Sequence, residues 1–119
     1  MRIVVPVSSY RGLSARVASD IWEVRGLAVI DMGYAGNLEE LMFVEVQDVL
    51  EDLSDIFFEL EPDAVLASPL YPEIMTELLE EGITLLSGKY KTVGEVILAY
   101  LSGKLSPIFP WMQLDRPLN

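Results

Sequence analysis

Apolar residues along this chain follow two different spacings. Strands are predicted for five short runs rich in β-branched and aliphatic residues, at positions 1–7, 24–31, 38–46, 64–67 and 83–86. Helices are predicted where apolar residues recur every three or four positions, at 47–60, 72–82 and 92–103. Residues 13–23 have no clear period, so we expect a loop there.

The order of these elements predicts an α/β fold. Gly33, Gly36 and Asn37 form a turn cluster between strands two and three, which should therefore pair as a hairpin. Right-handed crossovers place strand four beside strand one. The expected fold is a three-layer α/β/α domain with a five-stranded mixed sheet of order 3-2-1-4-5, a ribonuclease H-like topology. Its core should include Ile3, Val5, Val29, Val44, Leu53, Phe57, Val65, Met75, Leu79, Leu85 and Ile97.

The amino-acid composition excludes several classes of function. The chain has 119 residues, enough for one domain, and 51% are hydrophobic. The apolar runs are of strand length, and the first has no cleavage site, so we expect no membrane partner and a cytoplasmic protein. Cysteine and histidine are both absent. Thiolate catalysis and the commonest ligands of iron–sulfur clusters and transition metals are therefore excluded, and we expect no cofactor.

Charge is separated along the chain. The net charge of −11 should repel a phosphate backbone, so no nucleic-acid partner is expected. Positions 26–88 contain fifteen acidic residues and no lysine or arginine. The predicted topology gathers five of the eight basic residues at one edge of the sheet, namely Arg11, Arg16, Arg25, Lys89 and Lys91.

Four stretches carry a resemblance to a known family: MRIVVPV at 1–7, VASDIWEVRGLAVID at 17–31, DAVLASPLYPEIMTELLEEGITLL at 63–86 and TVGEVILAYLSGKL at 92–105. They resemble the dinitrogenase iron-molybdenum cofactor biosynthesis family. The resemblance implies a ribonuclease H-like domain over residues 1–105 and a binding or carrier role. Some members of that family carry or store iron–sulfur precursors of the nitrogenase cofactor, and many have no known role.

The sequence departs from this family where a ligand would bind. Members usually have a His-Phe-Gly-Arg stretch before strand two, and here the matching positions are Asp20, Ile21, Trp22 and Glu23. They also usually have a glycine-rich loop after strand four, which here is Ser68-Pro69-Leu70-Tyr71-Pro72. Two prolines remove two amide donors from that loop. The resemblance therefore supports the fold and not the cofactor role.

The residues favour a site for a small anionic ligand. Open α/β sheets bind ligands beyond the carboxyl ends of the parallel strands, where the strand order reverses, which here lies between strands one and four. Side chains should supply the donors, with Tyr71 closing over the ligand. The predicted site consists of Ser8, Ser9, Tyr10, Arg11, Arg16, Arg25, Ser68, Pro69, Leu70, Tyr71, Ser87, Gly88, Lys89 and Lys91.

Two other functions are weighed against this one. The first is a non-catalytic interaction protein, an acidic homodimer that keeps the fold and joins through the apolar, proline-rich tail at 106–119; that tail could equally pack on its own domain. The second is an enzyme, which is the weakest of the three hypotheses. Strand one lacks the carboxylate that a ribonuclease H-like nuclease needs, and Asp20 and Glu23 are more simply a solvated pair.

Overall fold

A six-stranded mixed sheet with helices on both faces forms the body of the protein. The computed structural model describes residues 1–108. The strands are β1 (Arg2–Val7), β2 (Gly26–Met32), β3 (Leu38–Glu45), β4 (Ala64–Leu66), β5 (Thr84–Ser87) and β6 (Ser106–Ile108). The α-helices are α1 (Val49–Leu60), α2 (Pro72–Glu80) and α3 (Val93–Leu101), and short 3-10 helices span Gly12–Ser14 and Ile21–Glu23.

The strands lie in the order β3-β2-β1-β4-β5-β6. β1 is parallel to β4 and antiparallel to β2, and β2 and β3 form the predicted hairpin. The predicted order 3-2-1-4-5 is therefore present, extended by one strand. The ribonuclease H-like assignment itself stays a prediction.

Helix starts follow the capping signals of the sequence. The Asp48 carboxylate accepts hydrogen bonds from the N–H groups of Leu50 and Glu51, at 3.0 and 3.1 Å, and begins α1. Pro72 is in the first turn of α2, where its missing N–H breaks no helical bond. Thr92 caps α3 by accepting from the N–H of Glu95 at 3.3 Å. Within residues 1–108, every helix is too short or too polar to cross a membrane.

Two hydrophobic cores separate the layers. Leu53 and Phe57 of α1 pack with α2 on one face of the sheet, and Val96 of α3 packs on the other. Most of the predicted core residues are fully buried, but Val44, Met75 and Leu79 are only partly buried. Ile74 and Leu78, four residues apart on one side of α2, are instead its most buried residues and face the sheet.

The prediction of five strands is wrong, because the first part of the C-terminal tail forms β6. This strand pairs antiparallel with β5, and the hydroxyl of Ser87 donates to the carbonyl oxygen of Ser106 at 3.1 Å. Pro107 cannot donate a ladder hydrogen bond, which an edge strand tolerates, and β6 is the edge strand of the sheet formed by residues 1–108. The remaining tail, 109–119, lies outside the described residues, and with it most of the predicted dimer contact.

Candidate functional site at the carboxyl edge of the sheet

A row of backbone hydrogen bonds crosses the edge of the sheet where β1 ends. It joins five chain segments that are far apart in sequence. The four bonds run from Val46 N to Arg25 O (3.0 Å), Arg25 N to Val7 O (2.8 Å), Ser8 N to Arg16 O (2.9 Å) and Val17 N to Lys91 O (3.0 Å). We call this arrangement the edge row. It brings the segments that carry Arg16, Arg25 and Lys91 to one edge of the sheet, with the end of β1 between Arg25 and Arg16.

Residues 15–18 lie between the end of β1 and Lys91 in the edge row, and they correct the prediction of a loop over 13–23. They are extended, with Val7 and Val17 paired as an antiparallel bridge. On the side of β1, the N–H of Ala18 donates to the carbonyl of Pro6 at 3.0 Å. β4 pairs with β1 only at Ile3 and Val4, so this segment takes the place beside β1 beyond the end of β4. The crevice predicted between strands one and four is thus occupied by the chain itself.

A cleft of about 450 Å³ lies over the edge row. We call it the cationic cleft; it is lined by Ser8, Arg16, Val17, Ser19, Glu23, Arg25, Tyr90 and Lys91. Three of these side chains are cationic and one is anionic, so the lining has a formal charge of +2 in a protein of net charge −11. A local positive field of this kind attracts anions.

The cations of this cleft have few partners. Within residues 1–108 the single ion pair closer than 4.0 Å is between Arg2 and Asp31, at the opposite end of β1 from the cleft. Arg25 donates through Nη1 to the carbonyl oxygens of Trp22 (3.0 Å) and Val24 (3.4 Å), which orients its guanidinium. The exposed side chains of Arg16 and Lys91 make no hydrogen bond with that described part of the chain.

Glu23 is the one carboxylate of the cationic cleft. Its Oε1 accepts from the hydroxyl of Ser19 at 2.7 Å and from the N–H of Ser19 at 3.1 Å. These bonds, with smaller contributions from Arg16 and Arg25, lower the pKa of Glu23 below its usual value. Asp20 is directed elsewhere, because it accepts from the N–H groups of Trp22 and Glu23 and caps the 3-10 helix.

A second cleft, of about 600 Å³, adjoins the first. We call it the tyrosine cleft; its lining is Ser8, Ser9, Tyr10, Arg25, Glu45, Val46 and Gln47. Tyr10 is held by two contacts, since its hydroxyl donates to the carbonyl of Arg25 and its ring lies 5.6 Å from that of Phe43. Burial, and secondarily the nearby Glu45 carboxylate, raise the pKa of Tyr10. Tyr10 therefore covers the β2–β3 hairpin rather than the gap between β1 and β4.

The loop after β4 is not part of either cleft lining. Pro69 and Leu70 are buried, and Leu70 packs with Tyr71 in the core beneath α1 and α2. Tyr90 and Val17 of the cationic cleft belong to the opposite core, on the α3 face. The sheet thus separates this loop from the cationic cleft. Burial, followed by Glu77 and Glu73, raises the pKa of Tyr71, which has acidic rather than basic neighbours.

The remaining predicted positions are divided. The structure brings together Ser8, Arg16, Arg25 and Lys91 in the cationic cleft, and Ser8, Ser9, Tyr10 and Arg25 in the tyrosine cleft. Arg11, Ser68, Ser87, Gly88 and Lys89 line neither. The hydroxyl of Ser87 donates to Ser106 of β6. Gly88 leaves room for the ring of Tyr90, because a Cβ at position 88 would lie 2.5 Å from a ring carbon.

Sequence reasoning missed Val17, Ser19, Glu23 and Tyr90. Tyr90 carries a usable signal, since it lies between Lys89 and Lys91. The described residues contain no cluster of three or more carboxylates arranged to hold a metal ion. The lining of the cationic cleft, which offers guanidinium, ammonium and hydroxyl groups, suits an anion rather than a cation.

Comparison with solved structures places this fold among known proteins. The protein PH0822 superposes with a TM-score of 0.77 at 23% identity, covering 93% of this chain and 99% of its own. A Methanocaldococcus jannaschii protein provisionally described as a dinitrogenase has a TM-score of 0.71 at 10% identity, with coverages of 91% and 94%. The apo form of the orange protein from Desulfovibrio gigas has a TM-score of 0.71 at 17% identity, with coverages of 90% and 92%.

The TM-scores establish a shared fold over nearly the whole chain, and at identities of 10–23% the likeness extends no further than the fold. No family model matches the sequence, and no curated protein matches it. The predicted resemblance is thus supported at the level of fold, with neighbours that include a nitrogenase-related description.

Proposed function

We propose that the protein binds a small anionic ligand in the cationic cleft and acts as a non-catalytic binding or carrier protein. The observation that carries this proposal is the group of three cations around one cleft, two of which make no side-chain hydrogen bond and no ion pair closer than 4.0 Å with residues 1–108. Keeping like charges close together costs free energy unless an anion compensates them. The rest of the chain is strongly acidic, so the group is not a general property of the surface.

The ligand would be held by side chains. Arg16 and Lys91 can each turn toward an anion, and the hydroxyl of Ser8 lies in the same lining. Arg25 is already oriented by the carbonyl of Trp22, so it would provide a fixed donor. Charge-assisted hydrogen bonds of this kind are stronger than neutral ones and favour phosphate and carboxylate groups.

The absence of catalysis is also a proposal, and the chemistry of the cleft supports it. In the cationic cleft, the hydroxyl of Ser19 donates to the carboxylate of Glu23 at 2.7 Å. A general base needs a pKa near the working pH, whereas the pKa of Glu23 is lowered. Glu23 therefore would be a poor base for activating Ser19.

The chemistry of the side chains limits the kind of ligand more than the fold neighbours do. Two of them are described as a dinitrogenase and as the orange protein, and this chain shares only their fold. With no cysteine or histidine, it would have to hold an oxyanion by hydrogen bonds and charge rather than a cluster by ligation. Anaerobic reconstitution should therefore yield no stoichiometric iron and sulfide; an absorbing, stoichiometric cluster would contradict this part of the proposal.

The test is a titration with phosphate and with citrate, followed by amide chemical shifts and by calorimetry. We expect shifts concentrated at Ser8, Arg16, Arg25 and Lys91. Arg16→Gln and Lys91→Gln should each weaken binding about fivefold, which corresponds to about 1 kcal/mol for one charge-assisted contact at an exposed site.

Lys89→Gln is the matched control, because it removes the same charge two positions from Lys91 and outside the cleft lining. It should change the affinity by less than about twofold, through the net charge alone. Absence of shifts at millimolar ligand, or equal weakening by all three substitutions, would contradict the proposal.

A further inference from the structure

The two clefts are parts of one groove. Ser8 and Arg25 line both of them, and these residues are neighbours in the edge row. The order of segments in that row gives the direction of the groove. It runs from Lys91 and Arg16, past the ends of β1 and β2, to the end of β3 at Glu45. A ligand in the cationic cleft therefore has room to extend along the edge of the sheet.

The ends of this groove carry opposite charge. The cationic end has Arg16 and Lys91. The other end has the carboxylate of Glu45 and the amide of Gln47, and neither side chain makes a hydrogen bond or ion pair with residues 1–108. Tyr10 and the largely buried Val46 supply the apolar part of this lining, and the Tyr10 ring lies 5.6 Å from that of Phe43.

The carboxylate of Glu45 matters because of its position in the groove lining. Glu45 would repel a ligand that is anionic along its whole length, and it would attract an amine. Gln47 beside it can accept a hydrogen bond through its amide oxygen. The end of the tyrosine cleft at Glu45, beyond Arg25, is thus suited to a cationic, hydrogen-bond-donating group, and the cationic cleft to an anionic one.

We propose that the groove selects an elongated zwitterionic ligand, with a phosphate or carboxylate at Arg16 and Lys91 and an amine at Glu45 and Gln47. This inference rests on the proposed function, since it requires the anion to bind in the cationic cleft. It adds a specificity that the anion site alone does not have: a preference for a ligand that carries an amino group at the far end of a short chain.

The experiment compares pairs of alkyl phosphates of equal chain length, two to six carbons, with and without a terminal amine. Inorganic phosphate is measured in parallel by calorimetry and amide shifts. We expect the amine-bearing member to bind about two- to fivefold more tightly at the best length, the gain typical of one exposed ion pair. Only the amine-bearing compounds should shift the amides of Glu45 and Gln47.

Glu45→Gln should abolish the preference for the amine and leave the affinity for inorganic phosphate within about twofold. Glu39→Gln is the control, because it removes the same charge from the same strand, β3, at the opposite end. It should leave the preference intact.

The outcomes separate the two proposals. Equal binding of amine-bearing and amine-free phosphates, or a preference that survives Glu45→Gln, would overturn the zwitterion inference while leaving the anion site in place. Failure of every phosphate compound, inorganic phosphate included, would overturn both.

Discussion

Arg2 connects three elements, and its removal should show how much that connection stabilises the fold. Its Nε and Nη2 donate to the two carboxylate oxygens of Asp31 on β2, at 2.9 and 3.2 Å. Its Nη1 donates to the carbonyl oxygen of Leu60, the last residue of α1, at 2.8 Å. One side chain thus links β1 to β2 and donates a hydrogen bond to a carbonyl at the C-terminal end of α1.

The magnitude follows from exposure and geometry. The side chains of Arg2 and Asp31 are 33% and 20% exposed, so their bidentate pair should contribute about 0.5–1 kcal/mol. A charged donor at an unpaired carbonyl of a helix end contributes about 1 kcal/mol more. Asp31→Asn should therefore lower the free energy of unfolding by about 0.5–1 kcal/mol, and Arg2→Met by about 1.5–2 kcal/mol.

The Arg2–Asp31 contribution should depend on pH in one direction. The hydrogen bond from Arg2 lowers the pKa of Asp31 below its usual value. The stabilisation is then fully present above the unfolded pKa of about 3.9, and it is lost as the pH falls through the lower pKa of the folded state. At pH below both values, wild type and Asp31→Asn should have nearly equal stability.

The assay is urea unfolding of wild type, both single variants and the double variant at pH 7 and in acid. Lys104→Met is the control, because it removes one exposed cation and should shift stability by less than about 0.5 kcal/mol. The reasoning fails if Asp31→Asn leaves the stability at pH 7 unchanged. It also fails if Arg2→Met costs no more than Asp31→Asn, because the contact with Leu60 would then contribute nothing.

Three further outcomes follow from local geometry. Gly26→Ala should destabilise the fold by about 1–3 kcal/mol in urea unfolding, since a Cβ would lie 2.6 Å from the carbonyl oxygen of Val44 and 2.5 Å from the Tyr10 hydroxyl; unchanged stability would contradict this. Glu61→Gly should raise the stability by about 0.5–1 kcal/mol, because Glu61 has a left-handed φ of 50°; a lower melting temperature would refute it. By NMR, the Tyr10 hydroxyl should titrate above the usual tyrosine pKa. Glu45→Gln should reduce this upward shift only in part, because burial is its larger cause. Complete loss of the shift in Glu45→Gln would show that the Glu45 charge is the larger cause.

The fold could be predicted where the pattern of apolar residues is strong. Strand β1 is apolar on both faces, and its central position follows from that and from the handedness of the crossovers. The pattern fails for short irregular segments. Residues 15–18 were predicted as a loop because the segment is too short for its apolar residues to show a period, and its pairing consists of isolated bridges at Arg16 and Val17. Strand β6 has three residues, with Pro107 at its centre, and sequence alone argues against it.

The site could be predicted only as far as topology brings segments to one edge. Arg25 and Lys91 were expected there because each is near the end or start of a strand at that edge, and Arg16 because it lies in the segment that joins strands one and two. The error concerned the loop after β4. Its prolines and tyrosine are typical of an exposed loop, whereas Leu70 turns the loop into the core beneath α2. Which side of a sheet a loop packs against depends on such a single anchoring contact, and no periodicity reveals it.

The edge row also has a consequence for how binding specificity can change. Its hydrogen bonds join main-chain atoms, so they depend little on which side chains those segments carry. Substitutions at exposed positions of the row, such as Arg16 and Lys91, or at the adjoining Glu45, can therefore alter the groove while these main-chain hydrogen bonds are retained. Related chains with the same backbone could bind quite different ligands there, and the groove is a practical starting point for redesigning a binding protein around a new small molecule.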